Sequence, residues 1–162
     1  MEKTLPSMDC PTLLLIHQMV IYNINRYSNK KTTIESNLQR IATDLGKKIM
    51  MKVSNCHSSK TRGVTEILKL FANEYWSFIF GKKGEDVVSL SSNSITFKDK
   101  DFELITRVSG VDNSETRRFV GYLQIFCVAL FEASLAFLDL TADVKMRRME
   151  NHMVLEVSCL SA

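Results

Sequence analysis

Proline and glycine are scarce in this chain of 162 residues: there are two prolines, both before Thr12, and six glycines. Past Pro11 no proline remains to break a helix or remove a donor from a strand ladder, so long regular elements are allowed. A hydrophobic share of 45% against 24% charged excludes a disordered or fibrous chain. A chain of this length buries about two-thirds or more of the surface its unfolded form exposes, without needing a staple. One domain over residues 11–162 is expected, preceded by a flexible segment over residues 1–10.

Cysteine is sparse and unpaired in sequence. Cys10, Cys56, Cys127 and Cys159 lie far apart with no C-x-x-C, and no basic region followed by an apolar run and a cleavage site opens the chain. This pattern predicts free thiols in a reducing, cytoplasmic setting. Cys127 sits in an apolar run and reads as core, whereas Cys56 sits in the polar segment SNCHSSKTRG and reads as reachable.

Charge of one sign is also lacking. The net charge of +3 comes from scattered residues such as Lys47, Lys48, Lys52, Arg117, Arg118, Arg147 and Arg148. Nucleic-acid binding needs a concentrated basic face and is not expected, while weak peripheral contact with anionic lipid is compatible with this balance. No glycine-rich phosphate loop, G-x-S-x-G, H-E-x-x-H or Walker-type lysine occurs. His17 has no second His or Cys at i+3 or i+4, and the side chains of adjacent Cys56 and His57 diverge in an extended segment. No catalytic, cofactor-binding or metal-binding residue is assigned.

What the chain does have is periodicity. Pro11 to Tyr27 is apolar almost all round, which requires helices on both sides or a partner chain on one. Thr32 to Glu35 has capping-box spacing, so a second helix is expected to begin there, with Ile34, Leu38, Ile41, Ala42, Leu45, Ile49 and Val53 as its stripe. Gly46 interrupts that stripe and predicts close approach of another backbone.

Glu66 to Lys83 holds the only tryptophan on a broad aromatic face. Gly81 can end that helix in the left-handed conformation, with Lys82 and Lys83 at the negative end of its dipole. Alternation then predicts two hairpins: Ser94 to Lys98 with Phe102 to Val108, and Leu140 to Met146 with Met153 to Val157. Between them Asp112 is the expected N-cap of a helix over Phe119 to Leu138. Gln124 and Glu132 inside that run argue for a core helix rather than a membrane span, with Glu132 either a buried acid of raised pKa or, more commonly, a carboxylate paired to an Arg or capping a backbone amide. The fold class is α+β, a layer of about four helices packed on an antiparallel sheet made of two hairpins.

The tryptophan helix with its FGKKGED continuation resembles the element of the small TRAPP (transport protein particle) subunits in which a buried Trp precedes a Phe-Gly-Lys turn. LLLIHQMVIYNINR is similar to the first helix of that family, LGKKIMMKV to the second, and FEASLAFLDLTADV to the last helix and third strand, so the resemblance covers Leu13 to Val157. The FGKKGED turn and the Glu132–Ala133 step resemble the subunit-five branch, and FELITRVS the subunit-six branch. Ala42, Val128 and Ala129 stand where these subunits commonly have glycine, which predicts looser backbone approach there.

The resemblance implies a non-catalytic core subunit, without a cofactor, that pairs with other TRAPP subunits through its helical face, with Leu14, Met19, Val20 and Tyr22 the expected partner-facing residues. The assembled complex tethers transport vesicles in ER-to-Golgi and Golgi traffic and promotes nucleotide exchange on a Rab-type GTPase. It also implies a cytoplasmic protein peripherally associated with ER and Golgi membranes. One relative carries a fatty acyl chain on a cysteine before the equivalent of the tryptophan helix, which makes Cys56 a candidate for acylation. The alternative function is a small-molecule or fatty-acyl-binding domain of the same fold, with a cavity between the tryptophan helix and the last helix.

Overall fold

The chain begins its first helix at Pro11, as the fixed φ of proline favours at a helix start. A computed structural model describes residues 11–28, 30–56, 63–100, 102, 104, 113–149 and 152–160; the expected flexible segment over residues 1–10 lies outside them. Helix α1 spans Pro11–Arg26 and α2 spans Lys31–Cys56. The tryptophan helix α3 comprises an α-helical segment Val64–Leu70, a π-helical turn Phe71–Tyr75 and a second α-helical segment Trp76–Phe80. Strands β1 (Glu85–Ser91) and β2 (Ser94–Asp99), helix α4 (Ser114–Ala136), and strands β3 (Ala142–Arg148) and β4 (Met153–Cys159) follow. The order of helices and hairpins is the expected one, and the α+β class holds.

The first hairpin differs from expectation. Ser94–Asp99 pairs upstream with Glu85–Ser91, and its other edge pairs with β4, giving the antiparallel order β1-β2-β4-β3. Both edges of β2 are therefore taken, and none remains for Phe102 to Val108. Most of that stretch lies outside the described residues; Phe102 and Leu104 are buried. The upstream strand was hard to see because β1 carries two register irregularities and leaves Val88 and Leu90 exposed, so it lacks clean alternation.

Helix starts also differ. The Ile34 amide donates to the Lys30 carbonyl at 3.0 Å, so α2 begins before Thr32 and its capping box is not used. Glu35 instead faces Lys31 at 3.8 Å, an exposed pair of small value. At α4 the cap is Asn113, whose side-chain oxygen accepts from the Thr116 amide at 2.8 Å, and Asp112 lies outside the described residues.

Gly46 meets its expectation of close backbone approach. A Cβ on Gly46 would lie 2.3 Å from the Leu130 carbonyl oxygen and 2.9 Å from Ser134 Oγ, so α2 and α4 touch backbone to backbone. Ser134 Oγ lies 2.7 Å from the Leu130 carbonyl and 3.0 Å from the Gly46 carbonyl. Carbonyls only accept, so the serine proton points to them and the Tyr75 hydroxyl donates to Ser134 Oγ. Burial pushes the Tyr75 hydroxyl well above its usual pKa, which keeps that donor protonated.

The sheet presents Ile95, Phe97, Leu155, Val157 and Val144 to the helices, and Asp99 occupies the same buried face. Trp76 Nε1 donates to Asp99 Oδ2 at 2.9 Å, and Lys82 pairs with Oδ1. Lys82 thus serves a buried carboxylate rather than the end of the α3 dipole, while Lys83 reaches Glu74 at 4.0 Å. Gly81 ends α3 at φ 72°, as expected, and aims Lys82 back toward the sheet.

Two pairs of variants test this account. Gly46→Ala should destabilise the chain by about 2 kcal/mol or more despite the better helix propensity of alanine. Gly121→Ala, where a new Cβ meets open space, should stabilise it by up to about 1 kcal/mol. The Lys82 side chain is 34% exposed and can rehydrate, whereas that of Asp99 at 1% cannot. Lys82→Met should therefore cost about 3 kcal/mol and Asp99→Asn about 1–2 kcal/mol. Urea unfolding followed by the emission of the single tryptophan measures all four.

Candidate functional site

Helix α1 divides its apolar residues between two sides. Leu13, Ile16 and Val20 are buried, as is Asn23, whose amide is satisfied by the Met19 carbonyl one turn back at 2.9 Å. Leu14, Leu15, Ile21 and Tyr22 point outward, and Tyr22 is 57% exposed. Of the four expected partner-facing residues, Leu14 and Tyr22 lie on this outer side and Met19 is half-buried at its border. Val20 is a correction: at 0% exposure it belongs to the core, because it lies one helical turn from Ile16 and Asn23 on the inward side. Leu15 and Ile21 were missed. Gln18 and Asn25 share their arc at about 100° per residue, and those two polar side chains were the available signal.

The C-terminal end of the outer face is rigid. Arg26 donates to the Tyr22 hydroxyl at 2.7 Å and to the Tyr27 hydroxyl at 3.2 Å, with its guanidinium 5.8 and 5.7 Å from the two ring centres. Beside it a hollow of about 500 Å³ runs between α1 and α2, lined by Met19, Tyr22, Arg26, Arg40 and Ile41 among others. An exposed row of aliphatic and aromatic side chains, bordered by arginines beside a groove, is a protein-binding surface in its chemistry. It holds no arrangement of nucleophile and base.

The other singled-out residues are structural. His17 Nε2 lies 2.8 Å from the Leu104 carbonyl and its ring packs 5.8 Å from that of Phe119. Cys127 is buried, and burial raises its thiol pKa far from the reactive range. Half-buried Glu132 combines two of its three expected roles: its carboxylate accepts the Val144 amide at 3.2 Å, and partial burial pushes its pKa up, while among the described residues no Arg pairs with it. Among the described residues no three His, Cys, Asp or Glu side chains form a metal-binding group. The side chain of Cys56, at the end of α2, lies outside the described residues.

A cavity between the tryptophan helix and the last helix was the alternative expectation. Rings fill that space instead: Phe131 of α4 lies 5.2 Å from Trp76, 5.7 Å from Phe71 and 6.3 Å from Tyr75. By length and composition α4 could cross a membrane. In the fold Tyr122, Leu123, Phe126, Leu130 and Phe131 on one side of it are buried in the core.

A crystal structure of a trafficking protein particle complex subunit 3 from Naegleria fowleri, covalently bound to palmitic acid, aligns with a TM-score of 0.70 over 93% of this chain and 95% of that one. Identity is 9%, so the likeness is one of fold. An H-NOX protein from K. algicida aligns over 93% of each chain at 12% identity, with a TM-score of 0.44 that is too low to bear on the fold. No curated protein matches the sequence. The family model described as transport protein particle (TRAPP) component matches residues 12–159. That match spans every described helix and strand but the first residue of α1, and the chain belongs to the TRAPP component family.

Proposed function

We propose that this chain is a non-catalytic core subunit that pairs with another TRAPP subunit through the outer face of α1. The observation that carries this reading is the exposed stripe Leu14, Leu15, Ile21 and Tyr22 in a member of a family of complex-forming components. A monomer gains nothing from leaving these side chains in water, whereas pairing buries them at about 25 cal/mol per Å² of apolar surface. Met19 and Ile41 extend the apolar surface into the adjoining hollow, and Arg26 and Arg40 supply a polar rim.

In this reading the assembled complex tethers vesicles in ER-to-Golgi and Golgi traffic and promotes exchange on a Rab-type GTPase, any such activity belonging to the complex. The chain is cytoplasmic and reaches ER and Golgi membranes peripherally. The FGKKGED turn favours the subunit-five branch, with the subunit-six branch the alternative. Residues 11–162 act as one domain.

A second reading is supported by the palmitic acid on the Naegleria fowleri subunit. Cys56 ends α2 shortly before the tryptophan helix and is the candidate acyl acceptor.

Tyr22→Asp should abolish recovery of other TRAPP subunits with the tagged chain while leaving its melting temperature within a few degrees of the wild type. Val20→Asp should instead unfold the chain, since it buries an unpaired charge. Retention of partners by Tyr22→Asp together with Leu15→Asp overturns the pairing face. For Cys56, intact mass before and after hydroxylamine should fall by one acyl group; an unmodified mass that does not change eliminates acylation.

A further inference from the structure

Half of the most apolar window of α4 stays outside the core. The half-exposed residues Gly121, Ile125, Val128 and Ala129 recur along one side at helical spacing. They floor two adjoining hollows of about 440 and 330 Å³, which share Gly121 and Ile125. The first is walled by Lys31 and Glu35 of α2 and bounded by Arg118. The second reaches Gln39, Gln124, Glu132 and Met146. End to end, the groove follows α4 from Arg118 to Glu132, about 21 Å at 1.5 Å per residue.

Its two ends differ in charge. Arg118 is held in place by donating to the Ser28 carbonyl at 2.8 Å, with its guanidinium 5.7 Å from the Tyr122 ring centre. Among the described residues Lys31 beside it pairs only with Glu35, loosely at 3.8 Å. At the far end Glu132 accepts one backbone amide, and among the described residues no cation pairs with it. An acyl chain in this groove would cover Gln39, Gln124 and Glu132 without hydrogen-bonding them, at a cost of about 1–3 kcal/mol for each left unpaired. A peptide helix can carry partners for all three.

We propose that this groove receives an amphipathic helix of another protein chain, lying antiparallel to α4, with small and aliphatic side chains on the Gly121–Ala129 floor. About 14 residues fill the length. An acidic residue and the negative C-terminal end of that helix meet Lys31 and Arg118, while a basic residue and its positive N-terminal end meet Glu132. The absence of a side chain at Gly121 lets the incoming backbone come close, a use for a glycine that nothing inside this chain crowds. The inference rests on the reading that the chain works inside a multi-subunit assembly, but it concerns a different surface from the α1 face.

The test uses the full chain in its native cell with a photoreactive phenylalanine at Gln39, exposed on the rim of the groove, and, in a second strain, at Tyr22. Complexes are purified, irradiated and the adducts sequenced by mass spectrometry. The expected Gln39 adduct falls in one amphipathic helical segment of another protein, with an acidic residue toward its C-terminal end and a basic residue toward its N-terminal end. Glu132→Lys should lower the yield at least fivefold, and changing the basic residue of that segment to Glu should restore it. Restoration separates lost pairing from misfolding, and a thermal melt of the variant provides a second check. A lipid adduct, an adduct to a second copy of this chain, a segment of opposite polarity, or no adduct at Gln39 overturns the proposal. Tyr22 adducts to another TRAPP subunit, if they persist in that event, keep failure of the groove distinct from failure of the α1 reading.

Discussion

The fold depends on the place where α2 and α4 meet backbone to backbone and α3 reaches them through the Tyr75 side chain. Gly46 lets the backbone of α2 reach Leu130, and the Ser134 hydroxyl sits in that contact with the Tyr75 hydroxyl of α3 donating to it. The buried tyrosine and serine oxygens are both satisfied, so the polar cluster costs little and fixes one relative placement of three helices. Once α4 is placed, its aromatic side chains determine where α3 lies. The π-helical turn at Phe71–Tyr75 shifts the phase of α3, so that Phe71, Ala72, Tyr75 and Trp76 are all buried on a widened face.

A second constraint joins the helical layer to the sheet. Asp99 occupies the inward-facing row of β2, where the strand pairing directs every second residue to the core. A carboxylate there is tolerable only with partners, and Trp76 and Lys82 supply them from the end of α3 and the turn after it. The interaction is directional in a way that the surrounding aromatic contacts are not. It specifies which end of the helix lies over which end of the strand.

Much of this was legible in the sequence. Apolar spacing located the helices because each has a wet side, and Gly46 and Gly81 stood out because a glycine there has few other reasons to exist. The second hairpin was legible because β3 and β4 alternate cleanly against one buried face. The first was misread because β1 is a bulged, exposed edge, while Phe102 and Leu104 supply the apolar pattern of a strand. The outer face of α1 was only partly legible: a helix apolar on two sides gives no sign of which side is core unless its few polar residues are used to orient it. Asp99 looked like turn sequence because its partners are 23 and 17 positions away, outside any local window.

The strand order has a consequence for how the chain comes together. The two hairpins join through β2 and β4, and Thr96 bonds to Leu155, 59 residues downstream. Until residues 153–159 emerge from the ribosome, β2 presents an open row of amides and carbonyls beside a complete aromatic helix. The nascent chain therefore carries an unpaired strand edge from the completion of β2 at Asp99 to that of β4 at Cys159. Closure of the sheet by its last strand is then the slow, non-local step of folding.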